Sequence, residues 1–139
     1  MKMSDWKLKS EKNIKGAELL IKNSLCSSSV HCSYYSNVQL MLHILFADFG
    51  KTEKEIESEA KQGSVDEQGY HNWLKNTITR ELTKRDFMIV RDFNNFFGQL
   101  KALRIKGDYK NSLISESKAI DAVSFSRNIN EILQEKFSI

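Results

Sequence analysis

Along this chain apolar residues recur mostly at intervals of three and four. Ile14, Ala17, Ile21 and Leu25 form one such stripe, and their spacing predicts an amphipathic helix over 8–25. Ser27-Ser28-Ser29 then reads as a turn with a ready N-cap. Val30, Tyr34, Val38, Met41 and Leu45 carry a long second helix through residue 46, which Phe49-Gly50 ends. Thr52-Glu-Lys-Glu55 is a capping box, in which the threonine side chain bonds the N3 amide and the glutamate reaches back. It opens a short acidic helix to about residue 61, broken at Gly63. Ser64-Val-Asp-Glu67 is a second capping box, opening a helix through Trp73, Leu74, Ile78 and Leu82. The charged piece 51–68 reads as solvated and peripheral.

Further on, Phe93, Phe96, Phe97, Leu100 and Leu103 make an aromatic stripe in 86–105, a core face rather than a ligand box. Gly107 is expected to stop this helix and 108–115 to form a loop. Ser115 caps a final helix with the stripe Ala119, Ala122, Val123, Ser126, Leu133 and Phe137, whose small early residues permit close helix approach. No repeat, low-complexity segment or linker interrupts the pattern, so residues 1–139 read as one all-α domain. The expected architecture is an up-and-down bundle of four long helices plus a short peripheral one, with short connections favouring antiparallel neighbours.

The adjacent pair Tyr34-Tyr35 is the first feature that periodicity does not absorb. Successive helical residues point about 100° apart. Tyr34 therefore belongs to the core stripe, and Tyr35 falls on a flank beside His31 and near Leu42. Two readings of Tyr35 stand: a second contact surface, either groove or subunit interface, or a core edge with its hydroxyl in water.

Composition narrows the class. The chain has 40% hydrophobic and 28% charged residues and no proline, which suits a folded helical protein. Its net charge of +3, from 21 basic and 18 acidic residues, is too mild to indicate nucleic acid by itself. The first residues lack an apolar signal-peptide core and no run reaches the length of a membrane span. A cytoplasmic protein with no membrane partner is expected, with Cys26 and Cys32 as reduced thiols. Those two cysteines and His31 lie close in sequence but lack a second ligand pair, so neither a metal nor a cofactor is expected. No glycine-rich phosphate loop is present either.

Two ordered elements carry a family resemblance: Tyr34-Tyr35 near the start of a long helix, and Leu100-x-x-Leu103-Arg104-x-x-x-Asp108-Tyr109 before the last one. Together with the polar GKTEKE insertion between them, they resemble the HEPN (higher eukaryotes and prokaryotes nucleotide-binding) superfamily over roughly residues 10–137. The resemblance implies a helical domain of four to five helices, often homodimeric. Some members are ribonuclease toxins with an arginine followed four to six residues later by a histidine. Others accompany a minimal nucleotidyltransferase in toxin–antitoxin-like pairs.

Every arginine in this chain, from Arg80 to Arg127, lies after the last histidine, His71, so the arginine–histidine motif is absent. Asp108 takes the histidine's place. Metal-independent RNA cleavage needs a base that titrates near neutrality, and aspartates ordinarily titrate near ~3.9. The preferred reading is therefore a non-catalytic module that binds a nucleotide, RNA or a protein partner, with a nucleotidyltransferase as the partner the resemblance implies. Its candidate site residues are Tyr35, Lys101, Arg104, Asp108 and Tyr109; none is assigned a catalytic role. In this reading Arg104 grips a phosphate and Tyr109 stacks on a base. In the bland reading Arg104 and Asp108 form an i, i+4 ion pair at the helix end, and Tyr109 packs back on the bundle beside Tyr34 or Trp73. Lys106 and Lys110 add to the basic cluster, with Lys84, Arg85 and Arg91 upstream. The alternatives are a ribonuclease with a non-standard site completed by a histidine supplied in space, and a purely structural oligomerisation domain.

Overall fold

Ser4, in extended conformation, accepts a hydrogen bond from the Lys7 amide and opens the first helix, α1 (Asp5–Lys22). In the computed structural model, which describes residues 4–63 and 67–139 (Glu67 and Gln68 by backbone only), five helices follow. They are α2 (Cys26–Ala47), α3 (Glu53–Gly63), α4 (Glu67–Arg85), α5 (Val90–Tyr109) and α6 (Glu116–Phe137). The protein is all-helical, and among the described residues no helix is long and apolar enough to cross a membrane.

Several local expectations hold at the level of single hydrogen bonds. The Thr52–Glu55 capping box forms: the Glu55 amide donates to Thr52 Oγ1 at 3.1 Å, and the Thr52 amide reaches Glu55 Oε1 at 3.4 Å. Ser115 caps α6 by accepting from the Lys118 amide. The expected capping box at Ser64 lies outside the described residues.

Three expectations are corrected. Ser27–Ser29 form neither turn nor cap. The chain turns three residues earlier, at Ser24 with φ +60°, where the Leu25 amide bonds the Leu20 carbonyl and closes the end of α1. Leu25 then takes the cap position of α2 without a side-chain bond, and the serines enter its first turn. Gly107 does not stop α5, which runs on to Tyr109. The glycine is there for closeness: a Cβ would stand 3.3 Å from Ile114 Cγ1 and 3.6 Å from Ser27 Cβ. Finally, the described residues form five helices of 18 or more residues plus the short α3, not four plus one. Asp86 separates α4 from α5 by accepting from the Met88 amide at 3.1 Å.

Helix α2 is the axis. Thirteen of its 22 residues are buried, and α1, α4, α5 and α6 all pack on it. Contacts Ser10–Ser36 and Ala17–Ser29 set α1 antiparallel to it. Contacts Tyr34–His71 and Asp48–Arg85 set α4 parallel, because the intervening α3 breaks the simple alternation of direction. Tyr34, Met41, Leu45, Leu74, Phe93, Phe97 and Leu133 fill the core, removing the apolar area from water that drives folding.

A polar seam runs through this core. Ser10 and Ser36 each donate to the other's carbonyl, at 2.7 and 2.8 Å. Ser29 donates to the Ala17 carbonyl and Ser126 to that of Ser33, both at 2.7 Å, while Asn37 bridges to the Ser126 carbonyl and Asn130. Small hydroxyl residues let three helix backbones approach closely and pair most of the seam's polar groups, although among the described residues Ser33 Oγ and Asn37 Oδ1 are buried without a partner.

His43 ends the seam, 2% exposed, with Nδ1 2.6 Å from Ser4 Oγ. Burial, with the Lys7 charge adding, pushes its pKa down. The unfolded chain then binds this proton more readily than the fold does. Stability from this group is full above the ordinary histidine pKa and is lost as pH falls through the folded value. Melting curves between pH 8 and 5 are expected to show a steeper acid-side fall in the wild type than in His43→Gln. Equal slopes would remove His43 from the pH response.

Candidate functional site

The Tyr34-Tyr35 pair divides between two surroundings, as one-residue steps around a helix require. Tyr34 is fully buried; its hydroxyl hydrogen-bonds His71 Nδ1 at 3.0 Å, and its ring lies 5.6 Å from that of Phe97. Tyr35 sits half-buried on the flank, its ring 4.6 Å from His31 and 5.6 Å from His71. Its hydroxyl accepts a hydrogen bond from Arg104 Nη1 at 3.0 Å. The Tyr35 hydroxyl is thus engaged by a side chain of α5.

Helix α5 runs antiparallel to α2 and brings its last two turns across the tyrosines. Arg104 is 3% exposed. Its guanidinium carbon lies 4.6 Å from the Tyr34 ring centre, 5.7 Å from Tyr35 and 5.5 Å from Tyr109. Burial works against the charge, but the three tyrosines and Asp108 outweigh it and raise the pKa further. Ring faces carry negative potential toward a cation, so this is a cationic centre wrapped in aromatic rings.

The expected Arg104–Asp108 ion pair does not close the helix. Asp108 instead reaches across to α2, where its Oδ2 lies 2.9 Å from His31 Nδ1. Arg104 is turned inward, so the phosphate grip expected of its fork is not open in this arrangement. Tyr109 does not pack back on the bundle: it is 62% exposed and covers the guanidinium from the solvent side. Lys101 donates to Asn72 Oδ1 at 2.9 Å, and partial burial, then Lys75 and Arg104, push its pKa down. All five candidate residues therefore gather where α2 meets the end of α5. The upstream basic residues do not join them. Arg85 is tied to Asp48 at 2.8 Å and Glu81 at 3.4 Å toward the opposite end of the molecule.

His31 and His71 were not among the candidates, yet both belong to this constellation. The signal was present for His31, which precedes Tyr34 and Tyr35 by three and four residues and so shares their face. His31 and Asp108 also line a cavity of about 330 Å³ with Ser27, Ser28, Cys32 and Gly107. Burial pushes the Cys32 thiol up, so it stays protonated and is a poor nucleophile. Among the described residues no three His, Cys, Asp or Glu side chains converge as a metal site would need.

No family model, curated protein or solved structure matches this chain.

Proposed function

We propose that this chain is a HEPN-like, non-catalytic module that binds a nucleotide or RNA at the end where α2 meets α5. The HEPN likeness rests on the Tyr34–Tyr35 and Leu100–Tyr109 elements. In this reading the six helices are a variant of that superfamily's up-and-down bundle. The module acts as a homodimer beside a minimal nucleotidyltransferase in a toxin–antitoxin-like pair.

One observation carries the binding reading: the exposed Tyr109 ring, backed at 5.5 Å by the buried Arg104 cation, with Lys106 and Lys110 on either side in sequence. A tyrosine face held over a fixed positive charge offers a base a stacking platform, and the lysines offer its phosphates counter-charges. Arg104 then acts by positioning and by field, not by contact.

A short single-stranded RNA is expected to raise the melting temperature of the wild type by mass action. Tyr109→Ala, at an exposed position, should melt like the wild type without RNA. It should bind RNA roughly 5- to 150-fold more weakly, the equivalent of ~1–3 kcal/mol for one lost stacking contact. An undiminished RNA shift in Tyr109→Ala would overturn the placement. No shift in either protein would favour the oligomerisation-domain reading.

The His31–Asp108 contact favours one further reading, the ribonuclease with a non-standard site. A carboxylate at Nδ1 fixes the tautomer and orientation of an imidazole and turns Nε2 toward a substrate, the arrangement of a general base. Cleavage of RNA by the wild type that is lost in His31→Gln and Asp108→Asn would replace the non-catalytic reading with this one.

A further inference from the structure

A second concave surface shares no residue with the site above. It is a groove of about 600 Å³ formed by the α2–α3 connection, α3 and the outer face of α4, within the range of small-molecule sites. Phe49 and Trp73 give it an aromatic wall. Three cations, Lys51, Arg80 and Lys84, face two carboxylates, Glu59 and Glu81.

The carboxylates are already engaged. Glu59 pairs with Lys51 at 2.6 Å, and Glu81 pairs with Arg85 at 3.4 Å and Lys84 at 3.7 Å. Arg80 differs: among the described residues no carboxylate lies within ion-pair distance of it, and its one polar contact is Thr77 Oγ1 at 3.5 Å. Thr77 in turn donates to the Trp73 carbonyl at 2.8 Å, so fork and indole lie two turns apart along one helix. A guanidinium with its donors uncommitted suits a carboxylate or phosphate, which it can bind through two parallel hydrogen bonds. The neighbouring indole suits a flat ring.

We propose that this groove binds a planar aromatic ligand carrying an anionic group, of mononucleotide size, with the ring against Trp73 and the anion on Arg80. A nucleoside monophosphate and an aromatic carboxylate share this chemistry. The groove is independent of the function argued above, and stands or falls separately from it.

Trp73 reports on its own occupancy, because the chain holds only one other tryptophan, Trp6. In a Trp6→Phe protein, AMP or indole-3-carboxylate is expected to quench Trp73 fluorescence saturably. Adenosine and inorganic phosphate, each carrying half of the recognised chemistry, should bind at least tenfold more weakly. Arg80→Glu, at an exposed position, should abolish the quenching; Tyr109→Ala should leave it unchanged. In the native Trp6 background, Trp73→Phe should remove the signal, which guards against an effect of the Trp6 substitution. Quenching by AMP alone or by the carboxylate alone would support the site and identify the source of the anion. Quenching that survives Arg80→Glu, or none with either ligand, would overturn it.

Discussion

Replacing Tyr34 by alanine is expected to destabilise the protein by about 3–5 kcal/mol, the range for truncating a fully buried aromatic. This α2 side chain packs against both α4 and α5. Its ring meets His71 of α4 at 5.4 Å, Phe97 of α5 at 5.6 Å and the Arg104 guanidinium at 4.6 Å. Truncation leaves a cavity between three helices whose positions are fixed by other contacts, so collapse can fill little of it. Set against the ~5–15 kcal/mol stability of an ordinary domain, the loss places the variant near its unfolding threshold. Tyr34→Phe separates the ring from the hydroxyl. It removes the bond to His71 while keeping the ring, and about 1 kcal/mol is expected. Chemical denaturation of both variants gives the two values. Near-equal losses would mean that the hydroxyl, not the packed ring, holds α4 and α5 on α2.

Arg104→Ala is the second large effect, at about 3 kcal/mol. It combines lost stacking of a desolvated cation, up to ~2 kcal/mol or more, with lost burial of the aliphatic stem. Arg104→Lys should recover part of this, because it keeps the charge and stem but not the planar fork that reaches Tyr35 while facing three rings. The alanine variant should also weaken RNA binding, since Tyr109 loses the group behind it. That coupling is why the exposed Tyr109 is the cleaner probe of binding. A change in stability for Arg104→Ala within ~0.5 kcal/mol, the usual range for surface substitutions, would contradict the aromatic enclosure.

The sequence made much of the fold legible and less of the site. Residues whose roles follow from local spacing were read correctly: Tyr34 and Phe97 in the core, Thr52 and Ser115 as caps, and the small-residue stripe of α6. What failed involved partners far apart in sequence. Ser29, Ser33 and Ser36 repeat at helical spacing, which usually marks a solvated face, but α1 and α6 cover them: the Ser29 and Ser36 hydroxyls donate to α1 carbonyls, and the Ser33 carbonyl accepts from Ser126 of α6. Asp108 has its natural partner four residues back in Arg104, yet takes His31, 77 residues away. The burial of Arg104 did leave a trace. Phe93, Phe97, Leu100 and Arg104 follow the i, i+4, i+7, i+11 rhythm of a buried stripe, and all four are buried. An arginine's charge argued for the surface, while its register pointed to the core. Register prevailed because three tyrosine rings were in place to receive the cation.

The central claim is that the α2–α5 end, built around Tyr35, Arg104 and Tyr109, is a ligand site. Amide NMR spectra recorded while a short single-stranded RNA is added test it most directly, because each residue reports separately. The account predicts saturable shifts at Tyr35, Lys101, Asp108 and Tyr109 that disappear in Tyr109→Ala. Shifts confined to other parts of the chain, or spectra unchanged by RNA, would contradict it.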